Sequence, residues 1–351
     1  MKKPKIKAAK RNTIHIGIDL MGSDTSPIVF MQAAYDFIKE NSDSNLFLCL
    51  FGTEAIEKKF LLMQKHDEQK NLIFHRTKTP IFMHDNPLFA LRRKKNSSMI
   101  EGMKLLKNGD IDAFISAGNT GALMGSATMV LPRIPGIDRA ALLAIMPTQL
   151  KEVAVLDVGA NLSMKAEQFI QYALLGIAFR KFQKIEKPTL GLLNIGTEEK
   201  KGTAVHQKTY EMLQKIQDKI PDEFVFLGNI EGKQVFEGDL DLLITDGFTG
   251  NVFLKTAEGF ANFVLNFIQK TASKEEYSFL QRVVGEIHKN IHYAEYPGAL
   301  LIGLNGIVVK CHGDATAQAM KTAIQGTLEL VKNDCLGQIK KWVAAHKEIF
   351  K

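Results

Sequence analysis

Ala113-Phe-Ile-Ser-Ala-Gly-Asn-Thr-Gly-Ala122 reads as a short apolar strand that runs into a Gly/Asn turn and then into a helix. A continuous apolar run of this length, closed by turn residues, is the pattern of a strand buried on both faces. Comparable turns follow apolar runs along the chain. They are Asp19-Leu-Met-Gly-Ser-Asp24, Asp157-Val-Gly-Ala-Asn161, Asn194-Ile-Gly-Thr-Glu-Glu-Lys-Lys-Gly202, Thr245-Asp-Gly-Phe-Thr-Gly-Asn251 and Lys310-Cys-His-Gly-Asp314. Glycine lets the backbone come close to a ligand, and free N–H groups at a helix start attract negative charge. Repeated along one chain, such turns point to a sheet whose carboxyl-end loops hold an anion.

Strands are expected at Ile14–Asp19, Leu46–Phe51, Leu72–His75, Ala113–Ser116, Ala141–Met146, Val153–Asp157, Leu190–Asn194, Phe224–Leu227, Leu242–Thr245 and Ile307–Lys310. Helical patterns lie between them: Pro27–Ile38, Glu54–Gln64, a run opened by Ser98-Met-Ile-Glu101 and closed near Gly109, Lys165–Phe182, Gly202–Lys219 and Val252–Ser273. Short buried strands alternating with helices predict an α/β fold, three-layer α/β/α with a mainly parallel sheet. No internal repeat or low-complexity linker is seen. Residues 14–351 are read as one catalytic domain behind a basic extension, 1–13, expected to be disordered.

The 351 residues are enough for a full core. No apolar run reaches the roughly 18–20 residues of a membrane-spanning helix, and the basic start lacks the apolar stretch of a secretory signal. Cys49, Cys311 and Cys335 suit neither a disulfide framework nor a zinc site, so a cytoplasmic setting is expected. The net charge of +7 arises largely from Lys2, Lys3, Lys5, Lys7, Lys10 and Arg11, which precede the first acid, Asp19. That tail reads as a solvated extension; weak attraction to an anionic surface is the sharper alternative. Phe279, Leu280, Val283, Val284, Ile287 and Ile291 fall at helical spacing within 275–292. Such a stripe packs on a core or a dimer partner, or lies on a membrane surface.

The chain has no Gly-x-Ser-x-Gly elbow, no His-Glu-x-x-His, no Walker loop and no Gly-x-Gly-x-x-Gly after the first strand. What remains suits phosphate chemistry without a covalent enzyme intermediate. Lys200 and Lys201 precede Gly202, where a lysine reaches a phosphate or forms a solvated pair with Glu198 and Glu199. Asn251 either caps a helix starting at Val252 or donates its amide to an oxyanion. Asn119 and Asn161 carry the same two readings. Gly22, Gly118, Thr120, Gly121, Gly247, Gly250, His312 and Gly313 complete the candidate anion turns. Asp19, Asp157 and Asp246 end apolar strands and are read as turn holders, with no metal site and no cofactor expected. Arg92, Arg93, Lys94 and Lys95 form a positive run, either a solvated loop or a dock for an acidic protein. No aromatic residues interleave with it as nucleic-acid binding would require.

Taken in order, these turns resemble the PlsX family of phosphate acyltransferases. The matching stretches also include Arg92-Arg-Lys-Lys-Asn-Ser-Ser98, Gly136-Ile-Asp-Arg139 and Leu227-Gly-Asn-Ile-Glu231, and they run from about Ile14 to Lys332. The resemblance implies a fold like that of isocitrate and isopropylmalate dehydrogenases and phosphotransacetylases. It also implies transfer of a fatty acyl group from acyl carrier protein to inorganic phosphate, a homodimer, a peripheral membrane contact, and a glycerol-3-phosphate acyltransferase as downstream consumer in phospholipid synthesis. The family's catalytic lysine and asparagine fall on Lys201 and Asn251. Three departures stand out: Leu20 and Ser23 in the first loop, Pro297 where glycine is usual, and Asp314 where serine is usual. Asp314 is expected to repel phosphate. Rival readings are transfer from acyl-CoA, a nicotinamide-dependent dehydrogenase on the same fold, and a membrane-peripheral binding protein without turnover.

Overall fold

The computed structural model describes residues 13–41, 45–66, 68–271 and 298–350. The extension over residues 1–12, the amphipathic segment near 275–292 and Pro297 lie outside the described residues. The chain begins β1 (Ile14–Asp19), α1 (Pro27–Glu40), β2 (Leu46–Gly52), α2 (Glu54–His66), β3 (Leu72–Arg76), α3 (Pro87–Arg93) and α4 (Ser98–Asn108). It continues β4 (Ala113–Ser116), α5 (Thr120–Val130), β5 (Ala141–Met146), β6 (Val153–Leu156), α6 (Ala166–Phe182), β7 (Thr189–Leu193), α7 (Ala204–Lys219) and β8 (Val225–Ile230). It ends β9 (Leu242–Ile244), α8 (Gly247–Thr271), β10 (Ala299–Ile302), β11 (Ile307–Lys310), α9 (Ala317–Lys332) and α10 (Cys335–His346).

These elements form two compact units, Met1–Ile134 with Tyr296–Leu336 and Pro135–Glu295 with Gly337–Lys351. In the first, strands run in the order β3-β2-β1-β4-β11-β10, all parallel except the β10–β11 pair. The register puts Ser116 beside both Asp19 and Lys310, so three polar residues end three adjacent strands. In the second, the order is β5-β6-β9-β7-β8, parallel except for β5 against β6. Leu156 pairs with Ile244 and Ile244 with Leu192, which brings the loops after β6, β9 and β7 side by side. Strands β4, β6, β9 and β11 are buried throughout, as parallel strands covered by helices on both faces must be, and antiparallel β5 is buried throughout as well. The expected α/β/α layering around mainly parallel strands is therefore observed.

Local sequence explains the element ends. Pro27 opens α1 behind the Ser26 cap. Helix α4 is capped by Ser97, whose hydroxyl accepts the Ile100 N–H at 3.4 Å, one residue earlier than the expected Ser98 box. Ser98 is buried and its hydroxyl bonds Asp19 instead. Helix α8 begins at Gly247, not Val252, because Asp246 caps it: its carboxylate accepts from the Thr249 N–H and hydroxyl, each at 2.8 Å. Gly102 lets α4 press on β4, since a Cβ there would stand 2.0 Å from the Phe114 ring. Cys49, Cys311 and Cys335 are all buried.

Gly109 ends α4 in the left-handed region at φ 73°, with no atom within 4 Å of where a Cβ would be. The loss in Gly109→Ala is therefore conformational, about 1–2 kcal/mol. Gly109→Asn should recover part of it, because asparagine tolerates that region. Urea unfolding of the three proteins checks this.

Candidate functional site

Unit one gathers its polar turns at the carboxyl ends of β1, β4 and β11. Asp19 is fully buried. Its carboxylate accepts the Met21 N–H at 3.0 Å and the Ser116 hydroxyl at 2.8 Å, and Ser98 adds a third bond. The Ser116 hydroxyl in turn accepts the Gly118 N–H at 3.1 Å. Burial pushes the Asp19 carboxyl up to about 6, against the pull of these donors and of nearby Lys310. Lys310 itself donates to the Cys311 carbonyl.

Asn119 is the N-cap of α5: its side-chain oxygen accepts the Ala122 N–H at 3.0 Å. Its amide donates to the carbonyls of Met83 and Asp85, at 2.9 and 3.2 Å. Thr120 and Gly121 form the first helical turn. Gly22 has φ 77°, and a Cβ on it would lie 1.8 Å from the Ile81 carbonyl oxygen. The Gly313 carbonyl accepts from the Asp24 and Thr25 N–H groups. The structure thus brings together Gly22, Gly118, Asn119, Thr120, Gly121, His312 and Gly313. Asp314, expected to repel phosphate, pairs its carboxylate with His312 Nδ1.

Unit two builds its turns around Asp157, which is also fully buried. One carboxylate oxygen accepts the N–H groups of Leu142, Gly159 and Ala160 at 2.9–3.1 Å. The other accepts the Asn161 N–H at 2.8 Å and its amide at 3.1 Å. Burial raises the Asp157 carboxyl above the usual range in spite of these donors. The Asn161 amide also reaches the Ala140 carbonyl and the Tyr172 hydroxyl, at 2.7 and 2.6 Å. Gly247 donates its N–H to the Asn161 carbonyl at 2.8 Å, and Gly250 to Asp246 at 2.9 Å. A Cβ on Gly250 would stand 2.0 Å from the Asp157 carbonyl oxygen, so α8 can sit against this turn only with glycine there. Asn251, one turn into α8, is no cap. It is exposed and donates one amide hydrogen to the Val158 carbonyl at 3.0 Å, with a second hydrogen on the same nitrogen.

The neighbouring loop carries Lys201. Asn194 anchors it by donating to the Lys201 carbonyl at 3.1 Å and to Asn229 Oδ1 at 3.0 Å. Asn229 donates to the Glu198 carbonyl at 2.8 Å. The Lys201 ammonium is half-exposed and lies 3.7 Å from Glu198, a loose and solvated pair. Sequence reasoning assigned no role to Asn229 or to His206. His206 stands at the start of α7, bonded to Thr203 at 2.8 Å, and burial lowers its affinity for a proton against the opposing charge of Asp246. The signal for Asn229 was present: an uncharged polar residue beside glycine inside an otherwise apolar strand.

Arg92, Arg93 and Lys95 are exposed, whereas Lys94 is bound to Asp85 at 2.5 Å and holds that carboxyl below its usual range. Arg93 stacks over Phe89 at 4.5 Å. Arg92 and Arg93 end α3, a helix that the sequence reading did not assign. Among the described residues, no group of three His, Cys, Asp or Glu is placed to hold a metal ion. No described helix is long and apolar enough to cross a membrane.

A family model described as fatty acid synthesis protein matches residues 14–337. The chain belongs to this family. Among its curated relatives, a phosphate acyltransferase of Chlamydia pneumoniae is 40% identical over 328 residues, covering 91% of this chain and 96% of that one. One from Methylococcus capsulatus is 40% identical over 318 residues, covering 88% and 91%. The resemblance drawn from the ordered turns is borne out. In structure, a phosphotransacetylase of Streptococcus pyogenes aligns with TM-score 0.60 at 16% identity, over 91% of this chain and 94% of its own. The EutD phosphotransacetylase of Staphylococcus aureus gives 0.56 at 14%, over 92% and 94%. These two likenesses bear out the fold.

The buried Asp19 makes a pH signature. Its folded pKa of about 6 exceeds the ordinary 3.8. Its contribution to stability is therefore fully present below pH 3.8 and is lost as pH rises through 6, a change of about 3 kcal/mol. Asp19→Asn should lack this decline, so the decline should appear in the difference between the two stability–pH profiles. Parallel profiles from pH 4 to 7 would contradict the assignment.

Proposed function

We propose that this chain transfers a fatty acyl group from acyl carrier protein to inorganic phosphate, releasing acyl phosphate and the free carrier thiol. The observation that carries it is the chain-long match to relatives named phosphate acyltransferase, at 36–40% identity over about nine-tenths of this chain. The polar turns at the strand ends are consistent with it. They offer backbone N–H groups, an ammonium and a carboxamide.

In the proposed reaction, a phosphate oxygen attacks the thioester carbonyl and forms the new C–O bond. The carbonyl electrons move onto oxygen, return, and expel sulfur as the carrier thiolate. Lys201 holds the phosphate as a point charge, and the second amide hydrogen of Asn251 stabilises the oxyanion. Phosphate is largely a dianion near neutral pH and a thiolate leaves readily, so positioning and electrostatics suffice. Arg92, Arg93 and Lys95, with Phe89, form the dock for the acidic carrier; Lys94 supports it through Asp85. The acyl phosphate would feed a glycerol-3-phosphate acyltransferase. A homodimer and a peripheral membrane contact follow from the same family resemblance.

The direct test is release of carrier thiol from palmitoyl-acyl carrier protein, with palmitoyl-CoA in parallel. Release that needs both phosphate and the carrier-bound donor, with a hydroxylamine-trappable product, is expected; release from the CoA donor alone would shift the reading to phosphotransacetylase-like transfer. Asn251→Ala should lower turnover about 10²–10³-fold. Lys201→Ala should chiefly raise the phosphate concentration needed for half-maximal rate. Added salt should raise KM for the carrier through loss of the arginine contacts, leaving phosphate saturation less affected.

A further inference from the structure

Leu162, Ile195, Phe248 and Val252 are large apolar side chains that the second unit leaves in water, at 73%, 82%, 61% and 52% exposure. A scatter of exposed apolar residues is ordinary. These four are not scattered. Leu162 directly follows Asn161, Ile195 opens the loop that carries Lys201, and Phe248 and Val252 flank Asn251 on the first turns of α8. The three loops follow β6, β7 and β9, which are adjacent in the sheet. The Gly247 N–H bonded to the Asn161 carbonyl joins the Leu162 and Phe248 positions directly. The spacing from Phe248 to Val252 stacks them on one helix face.

We infer that these four residues form an apolar rim that takes the acyl chain of the thioester donor. The inference rests on the acyl-transfer reading. A polar site that holds phosphate and an oxyanion needs an apolar neighbour if the donor carries a long hydrocarbon, because each methylene withdrawn from water contributes to binding. Every one of the four adjoins the turn of Asn161, the loop of Lys201 or the helical turn of Asn251. The reacting carbonyl would lie at Asn251, with the chain running out over Phe248 and Val252 toward Leu162 and Ile195.

The test uses S-acyl pantetheines of four, eight, twelve and sixteen carbons, bound without phosphate and followed by calorimetry. Wild-type affinity should rise with chain length. Phe248→Ser/Ile195→Ser and Leu162→Ser/Val252→Ser should each weaken the sixteen-carbon ligand by about 10-fold or more while leaving the four-carbon ligand within about twofold. Affinity independent of chain length, or an unchanged slope in both variants, would overturn the rim. Sedimentation of the same variants separates the other occupant. A change in association state with the slope intact would give this face to a second copy and overturn the inference. The activity arm stays distinct. Chain-length-dependent binding that is lost in the variants, from a wild type that forms no acyl phosphate, would sink the transfer reading and leave the rim standing.

Discussion

The second unit hangs on one buried carboxylate. Asp157 directly follows β6 and is fully buried, and its two oxygens collect the N–H groups of the following turn and of β5. A carboxylate in that position is expensive to bury unless donors surround it. The turn from Gly159 to Asn161 is wound so that they do. Asn161, held by Asp157, then accepts from Gly247 and fixes the start of α8, and Asn251 follows at a set height above the turn. Asp157 thereby sets the position of the Asn251 carboxamide through the backbone of the turn.

The first unit solves a similar problem with hydroxyls. Asp19, Ser98 and Ser116 come from a strand end, a helix start and a second strand end, and the Ser116 hydroxyl passes the link on to the Gly118 N–H. Both units therefore use side-chain oxygens to hold backbone loops, which keeps the turns in one conformation while leaving them at the surface. Loops of that kind lose little further freedom when they close on a ligand.

Much of this was legible in the sequence, for physical reasons. Buried strands are short, apolar and closed by turns that carry glycine or proline, so β1, β4, β5 and β11 were bounded correctly from the apolar pattern alone. The aspartates at strand ends were read as turn holders, and Asp19, Asp157 and Asp246 are. The starts of α4 and α8 were misread because two candidate caps stood near each other. Which one caps depends on what else wants its oxygen: Ser98 is taken by Asp19, and Asp246 reaches Thr249 before Asn251 can act. Helix α3 was missed because it is a single short helix whose cations suggested a loop. The roles of Asn229 and His206 depend on contacts with residues far away in sequence, which no local pattern reveals. Nor could the apolar rim be seen, since Leu162, Ile195 and Phe248 look like core residues until the fold leaves them outside.

The cysteines carry a last consequence. Burial pushes the Cys311 thiol up to about 11 and the Cys335 thiol to about 12, and Cys49 lies inside β2. A protein that handles activated acyl groups is exposed to self-acylation wherever it offers a thiolate, because the thiolate is the form that attacks. This chain offers none at its surface. It can stand in a pool of reactive thioesters without becoming their victim. In a solution containing a thiol-reactive dye, the folded protein should likewise stay dark, so that any colour reports a thiol released from the donor.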